Sequence, residues 1–319
     1  MDTEAVYWGE KRYHSLDHHL KNRFGQKIYK LSLNGGMTCP NRDGTLGNRG
    51  CIFCSEGGSG DFAANPSLSI REQIEAAKSL VAKKTTGSSY IAYFQAYTNT
   101  YAPYEKLKRI FTEAISHPDI CILSIATRPD CIDDSVLNLL EELNGIKPVW
   151  IELGLQSIHA HTARFIRRGY ELPVFEEAVS ALRKRGIETI VHVITGLPAE
   201  NESHMLATIH YLNGLDIQGI KLQLLHILRG TDLAAYYEHH PFHVLSMEEY
   251  IEITGRCIAS LRPDIVIHRL TGDGPKSLLL APAWSADKRH VLNQIQAHLK
   301  QHNIWQGKEF HNDNCIQTI

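Results

Sequence analysis

Cys39, Cys51 and Cys54, in the run CPNRDGTLGNRGCIFC, gather three thiols into one short segment of a 319-residue chain. Thiolates are soft ligands for iron and zinc, and a C-x2-C pair can reach one metal centre from a single turn of backbone. A structural zinc or an ordinary cubane takes four protein ligands, so three imply either a distant fourth ligand or a position left open. An open iron of a four-iron cluster can bind a small chelating molecule and pass it an electron, and catalytic metal sites generally keep such a position. Gly44, Gly47 and Gly50 let the intervening loop take positive φ and approach a bulky centre closely, with backbone N–H groups turned toward sulfides. Phe53, between the paired cysteines, can shield one face of that centre from water.

The other cysteines do not extend the group. Seven is an odd number and the chain is long, so a disulfide framework is not expected. Cys121, in the apolar run Ile120 to Ile125, and Cys257, in a helical pattern, read as small buried hydrophobes. Cys131 follows a strand end and is either a packed thiol or part of the site wall, while Cys315 lies in a polar tail and is incidental. Four thiols so dispersed do not suggest a second cluster.

The elements that must position the trio repeat one pattern, an apolar run, a turn and an amphipathic stretch. Strands are predicted over Ile28 to Leu33, Tyr90 to Gln95, Ile120 to Ala126, Val149 to Leu155, Glu188 to Ile194 and Gly219 to Leu225. Helical stretches lie between them, for example at Ile70 to Lys83, Tyr104 to His117 and Val174 to Arg185; in the last, Val174, Ala178, Ala181 and Leu182 form one apolar face. Such alternation predicts parallel strands with right-handed crossovers, an α/β fold in the form of a closed or partial barrel. Chemistry in these barrels occupies the loops at the C-terminal ends of the strands. Cys39 follows the first strand by a few residues and so falls at that end.

The first 25 residues, with Tyr7, Trp8, Arg12 and Tyr13, are polar-aromatic and are expected to pack across one end of a core barrel spanning 26–235. After it the rhythm weakens into a C-terminal extension, 236–319, with a helix from Met247 to Leu261, a short run Ile265 to Leu270 and a helix near Asp287 to Gln301. With 43% hydrophobic residues the chain can bury a large core. No apolar stretch reaches the roughly eighteen residues of a membrane span, and the opening MDTEAVYWGEKRYHS lacks a secretory apolar region, so a cytoplasmic protein is expected. A net charge of −2 argues against a surface coated with basic residues for nucleic acid. A local patch at Arg164, Arg167 and Arg168, or at Arg183, Lys184 and Arg185, stays open beside the plainer reading of solvated helix faces.

Three cysteines after a first strand, followed by this (βα)6 rhythm, resemble the radical S-adenosylmethionine superfamily. The commonest spacing there is C-x3-C-x2-C; the wider first gap here is shared by a subgroup that includes the Elp3-type tRNA enzymes and the small YhcC/YtqA-like radical proteins. Further segments agree: YFQAYTNTY at Tyr93 to Tyr101, TRPD at Thr127 to Asp130, ELGLQS at Glu152 to Ser157, RRGY at Arg167 to Tyr170, GLPAE at Gly196 to Glu200 and LRGTDL at Leu228 to Leu233. Ala126 departs from the pattern, occupying a position that is acidic in the Elp3 type. The superfamily likeness covers roughly residues 25 to 235, and the YhcC/YtqA likeness extends to the opening RYHSLDHHLKNRFG and the closing GDGPKSLLLAPAW.

The resemblance implies a partial (β/α)6 TIM-like radical SAM barrel with an N-terminal segment and a C-terminal helical extension. It implies a [4Fe-4S] cluster on Cys39, Cys51 and Cys54, and S-adenosylmethionine chelated at the open iron and cleaved to a 5′-deoxyadenosyl radical. A reductant such as flavodoxin or ferredoxin would supply the electron. Gln95, Thr98, Thr127, Glu152, Gln156, Arg168 and His192 fall where the cofactor is expected. Each has a plainer reading: Gln95, Thr98 and Gln156 as helix caps, Thr127 and Arg128 as a turn before Pro129, Arg168 as a solvent-facing helix end rather than a partner of the methionine carboxylate. Glu152 alternates with apolar neighbours and points into the barrel, where a cofactor hydroxyl or Arg168 would serve as the partner that a buried carboxylate needs. His192 and His226 are each either a hydrogen-bonded core histidine or a cofactor or substrate contact. For substrate, the resemblance points to tRNA and the C5 side chain of wobble uridine, specifically removal of the carboxymethyl part of 5-carboxymethylaminomethyluridine to leave 5-aminomethyluridine. An arginine or lysine at the barrel mouth would then meet the substrate carboxylate, with other basic residues on the anticodon phosphates. The competing readings are radical chemistry on a small metabolite or porphyrin, and a zinc-stabilised binding protein.

Overall fold

Alternating apolar and polar positions in the strands decide the architecture. In the computed structural model, which describes residues 4–58, 60–83, 86–272 and 274–311, seven strands form one parallel sheet. In chain order these are β1 (Tyr29–Leu33), β2 (Tyr90–Phe94), β3 (Ile120–Thr127), β4 (Val149–Gln156), β5 (Glu188–Thr195), β6 (Gly219–Leu224) and, after a two-residue strand β7 (Ile227–Leu228), β8 (Val266–Arg269). The order in the sheet is β1-β2-β3-β4-β5-β6-β8, every neighbour parallel. Strand β7 pairs instead with β9 (Leu279–Ala281) in a small antiparallel ribbon. The sheet begins at β1 and ends at β8, giving a half-barrel. The six predicted strands are all present with ends within one residue, and the short run after Ile265 supplies the seventh.

Strand β4 shows why the sheet is lined as it is. Val149, Ile151, Leu153 and Leu155 face outward into the main core against the helices, while Trp150, Glu152, Gly154 and Gln156 face the barrel interior, as the two-residue period of a strand requires. The outer layer comprises α2 (Ile70–Val81), α3 (Tyr104–Ile115), α4 (Asp134–Asn144), α5 (Ala160–Phe165), α6 (Leu172–Lys184) and α7 (Glu202–Asn213). Helix starts are set by local chemistry: Ser69 and Glu72 form a reciprocal capping box on α2, and Asp133 caps α4. Beyond these, α8 (Asp232–His239), α9 (Met247–Ser260) and α10 (Lys288–Gln301) complete the chain, α9 packing on α7 and α10.

The first helix, α1 (Leu16–Phe24), runs from the cap Ser15 to Gly25, whose φ of 69° provides the left-handed stop. Leu20 is buried, and with Leu16 and Phe24 it packs against Ile28, Ile91, Ile122, Trp150 and Ile190. Those residues lie toward the N-terminal ends of the strands, so α1 plugs that end of the barrel with an apolar layer. None of the described helices is long and apolar enough to cross a membrane. Cys315 lies outside the described residues.

Candidate active site at the strand ends

The cysteine loop leaves the C-terminal end of β1 and is tied down mainly by its own backbone. Arg42 and Asp43 donate their N–H groups to Cys39 O, Gly50 N donates to Asn41 O at 2.7 Å, and Cys54 N closes a turn on Cys51 O at 3.0 Å. Two side chains brace it. Asn41 Nδ2 donates to Arg167 O at 2.8 Å and lies 3.5 Å from Cys51 Sγ. Arg42 Nη2 donates to Cys54 O and Ser55 O at 3.1 and 2.6 Å. Gly50 has φ of 75°, and a Cβ there would stand 2.8 Å from Arg42 Nε, so glycine is required twice over. Gly44 is also left-handed, at φ 95°, but Gly47 is not among the positive-φ residues, contrary to expectation.

All three cysteines line one cavity, together with Phe53. Burial pushes the Cys51 thiol up to about 12, and the neighbouring Cys54 and Cys39 add to this. To bind as thiolates, three groups so placed would need a cationic centre. Among the described residues, the His/Cys/Asp/Glu group whose ligand atoms come within 4.8 Å of one another is Glu75, His117 and Asp119, not the three cysteines. One tetrahedral zinc would draw thiolates to roughly 3.8 Å apart, from bonds of about 2.3 Å, whereas a cubane takes each on a separate iron. The donor set therefore suits a cluster better than a single ion. Lys78 bridges Glu75 and Asp119 on the surface, at 3.0 and 2.5 Å.

The same cavity is lined by each residue expected at the cofactor: Gln95, Thr98, Thr127, Glu152, Gln156, Arg168 and His192. Gln156 sits at a register shift between β4 and β5 with φ of 67°, and its buried Oε1 has no hydrogen-bond partner. Gln95 Oε1 accepts from Ser32 Oγ, and Thr127 Oγ1 is 2.6 Å from Thr100 Oγ1. Thr98 is buried, with its N–H on Thr38 O. His226 also lines the cavity, and both its ring nitrogens are buried without a partner. Burial of its ring pushes its pKa down to about 4. Orphaned buried acceptors and donors of this kind mark positions that a polar ligand can satisfy.

The solvent-facing reading of Arg168 and its pairing with Glu152 are not found. Arg168 is buried rather than solvent-facing; its Nη1 donates to Leu155 O and Ser157 O and its Nε to Tyr170 O, with the guanidinium 4.5 Å from the Tyr170 ring. It knits the turn after β4 to the segment before α6. Glu152 has no bond to it. The carboxylate instead accepts from Lys30 Nζ at 2.8 Å, Ser124 Oγ at 2.8 Å, His192 Nε2 at 2.7 Å and Lys221 Nζ. Buried as it is, Glu152 is held well below the usual carboxylate range by Lys221 and Lys30, against its desolvation. Desolvation, then Lys221, pushes His192 down to about 4. It stands as a neutral ring donating to the carboxylate.

Lys30, Lys221 and Arg269 were not singled out from the sequence, although a lysine inside an apolar run such as GIKLQLL is anomalous for a parallel strand. Cys131 lies away from the cavity, in an outer groove with Tyr101 and Tyr104. Cys257 is fully buried as expected, and Cys121 is partly buried, donating to Tyr90 O. Of the basic clusters, Arg183 pairs with Asp216 and Arg185 with Glu141. Arg167 and Arg49 share Asp232 beside the cysteine loop.

Comparison with known proteins agrees with this geometry. Residues 217–301 match the Radical_SAM C-terminal domain, and residues 44–212 match the Radical SAM superfamily model. The chain is 44% identical over 301 residues to YtqA of Bacillus subtilis, covering 94% of each. It is 22% identical over 185 residues to the tRNA uridine(34) acetyltransferase of Methanocaldococcus jannaschii, covering 57% of this chain and 33% of that protein. The fold superposes on the archaeal Methanocaldococcus infernus Elp3 with TM-score 0.67 at 15% identity, over 88% of this chain and 64% of that one. This chain thus spans about two thirds of the Elp3 structure and a third of the acetyltransferase. With the cysteine loop at the strand ends of a parallel half-barrel, and a match over most of its length, the chain belongs to the radical SAM superfamily.

Proposed function

We propose that the protein is a tRNA-modifying radical enzyme acting on the C5 side chain of wobble uridine, converting 5-carboxymethylaminomethyluridine to 5-aminomethyluridine. The observation that carries the reading is the convergence of Cys39, Cys51 and Cys54 with Gln156, His226 and the Glu152 layer on one cavity. The likeness to a tRNA uridine(34) acetyltransferase supports the substrate class. When bound, a [4Fe-4S] cluster and S-adenosylmethionine would supply a 5′-deoxyadenosyl radical able to abstract a substrate hydrogen. Cys39, Cys51 and Cys54 would hold the cluster, and Gln95, Thr98, Thr127 and Gln156 offer polar atoms to the sulfonium cofactor. His226 presents two unpaired ring nitrogens beside Gly272 and Gly274. Phe53 and the apolar residues around it, Ile166, Ile194 and Leu225, exclude water from the mouth. A flavodoxin or ferredoxin would serve as reductant.

The test is anaerobic reconstitution followed by a 5′-deoxyadenosine assay with and without bulk tRNA from cells lacking the protein. The expected result is about four irons with labile sulfide per chain, lost in Cys39→Ala, and product formation stimulated by tRNA. One bound zinc in place of iron, or an assay indifferent to tRNA together with an unchanged nucleoside profile in the deleted cells, would overturn it.

A further inference from the structure

The barrel floor carries a charge imbalance that the cysteine loop does not explain. Two ammonium groups, Lys30 and Lys221, converge on one fully buried carboxylate, Glu152. Both carboxylate oxygens are already saturated: Oε1 by Lys30 and Ser124, Oε2 by Lys221 and His192. His192 adds no negative charge. With formal charges, the group holds one positive charge in excess, and at this depth an excess charge calls for a counter-ion. The two lysines are not equivalent. Lys30 lies over the rings of Tyr93 and Trp150, at 4.7 and 5.9 Å, keeps its side chain 21% exposed and does not line the cavity; Lys221 lies 4.7 Å from the same Tyr93 ring and donates to its hydroxyl at 3.2 Å. Lys221 does line the cavity, although only 2% exposed, and on β8 its register partner Arg269 lines it too. Desolvation disfavours the charged form of Lys221, so a second anion beside it would stabilise its ammonium.

We propose that Lys221, seated on Glu152 and backed by Lys30, is the receptor for a carboxylate of the molecule bound in the cavity, and that this carboxylate belongs to the substrate. The identity of the substrate, a uridine with a carboxymethylamino side chain, rests on the function proposed above; the anion site itself does not. S-adenosylmethionine also carries a carboxylate. Lys221 lies on the floor with Glu152, at the third residue of β6, whereas the cysteines lie in a loop beyond the strand ends, where the cofactor's own carboxylate is expected. A group entering beneath the cofactor is the one that reaches Lys221.

The experiment uses the reconstituted holoenzyme saturated with S-adenosylmethionine, and two probes that differ by the carboxylate, N-benzylglycine and N-methylbenzylamine. The wild type should bind N-benzylglycine roughly ten- to a hundredfold tighter, the range spanned by a charge-assisted hydrogen bond. Lys221→Met should abolish that preference and leave S-adenosylmethionine affinity within about twofold, while Lys221→Arg should keep the preference, as a retained cation can. Lys221→Gln, which keeps a hydrogen-bond donor toward Glu152 without the charge, serves if Lys221→Met does not fold. No preference in the wild type, or a preference intact in Lys221→Met, overturns the receptor. A fall in S-adenosylmethionine affinity with the preference intact assigns the carboxylate to the cofactor and also overturns it. A parallel assay with tRNA separates the two readings. If tRNA gives no stimulation yet Lys221→Met loses the N-benzylglycine preference, the tRNA reading fails and the receptor stands. If tRNA stimulates but its KM is the same in Lys221→Met, the receptor fails and the tRNA reading stands.

Discussion

His192 illustrates how one side chain ties the site to acid stability. Its ring is held neutral, with its pKa pushed down to about 4 by burial and by Lys221, while the same ring in the unfolded chain titrates near 6.5. Between these values the unfolded state binds the proton and the folded state does not, so stability rises with pH across that window. It is fully present above about 6.5 and lost as pH falls toward 4, by at most about 3 kcal/mol. Glu152, depressed below the usual carboxylate range, adds its own loss only below about 4.5. Denaturant midpoints measured from pH 7 to 4.5 should therefore fall in the wild type and fall less in His192→Gln, which can still donate to Glu152. An identical slope in both would show that His192 is not the titrating group. At this scale the sequence was only partly legible. Glu152 and His192 stood out because polar residues interrupt apolar strands, but their pairing with Lys30 and Lys221 joins β1, β4, β5 and β6, and the register between them is not written in local spacing. The solvent-facing reading of Arg168 failed for a related reason. Its carbonyl partners Leu155, Ser157 and Tyr170 belong to turns whose path only the packed chain defines.

At the scale of elements, strands and helices were read accurately because each carries its own period. β4 alternates Val149, Ile151, Leu153 and Leu155 outward with Trp150, Glu152 and Gln156 inward, and α2 announces itself through the Ser69 and Glu72 box. Loops carry no such period. The cysteine loop could be located but not shaped, and of its three glycines the sequence could not tell that Gly44 and Gly50 are left-handed and Gly47 is not. Gly50 and Gly25 make a matched pair that tests what the loop needs. Both are left-handed, at φ 75° and 69°, so a Cβ costs each roughly 1–2 kcal/mol. At Gly25 that Cβ meets nothing within 4 Å, whereas at Gly50 it displaces the Arg42 guanidinium that holds Cys54 O and Ser55 O. Gly50→Ala should lose more stability than Gly25→Ala by denaturant titration, and only Gly50→Ala should lose iron on reconstitution, by at least half. Full iron in Gly50→Ala would show that Arg42 does not set the loop.

The whole molecule separates a structural end from a reactive one. The N-terminal ends of the strands are closed by α1 and an apolar layer, the middle holds the Glu152 ion group, and the C-terminal ends open into the cysteine-lined cavity. This division follows from parallel strands, which place all loops after the strands on one side and all loops before them on the other. The first 25 residues could be expected to cover an end of the barrel, yet which end depends on where α1 meets β8, a contact between the two extremes of the fold that includes the bridge from Ser15 to Ile267. Leu20 tests the division. Its side chain is 2% exposed and packs with Ile28, Ile91, Trp150 and Ile190 at the plugged end, so Leu20→Ala should cost about 2–5 kcal/mol through lost burial and the cavity left behind. Because the apolar layer and the ion group lie between this site and the cysteines, iron content and S-adenosylmethionine affinity of the folded variant should match the wild type. Denaturant titration read beside iron analysis decides the matter. If Leu20→Ala retains its stability, α1 is not the plug of the barrel; if it folds stably but fails to take up iron, the two ends are coupled and the separation argued from the parallel sheet does not hold.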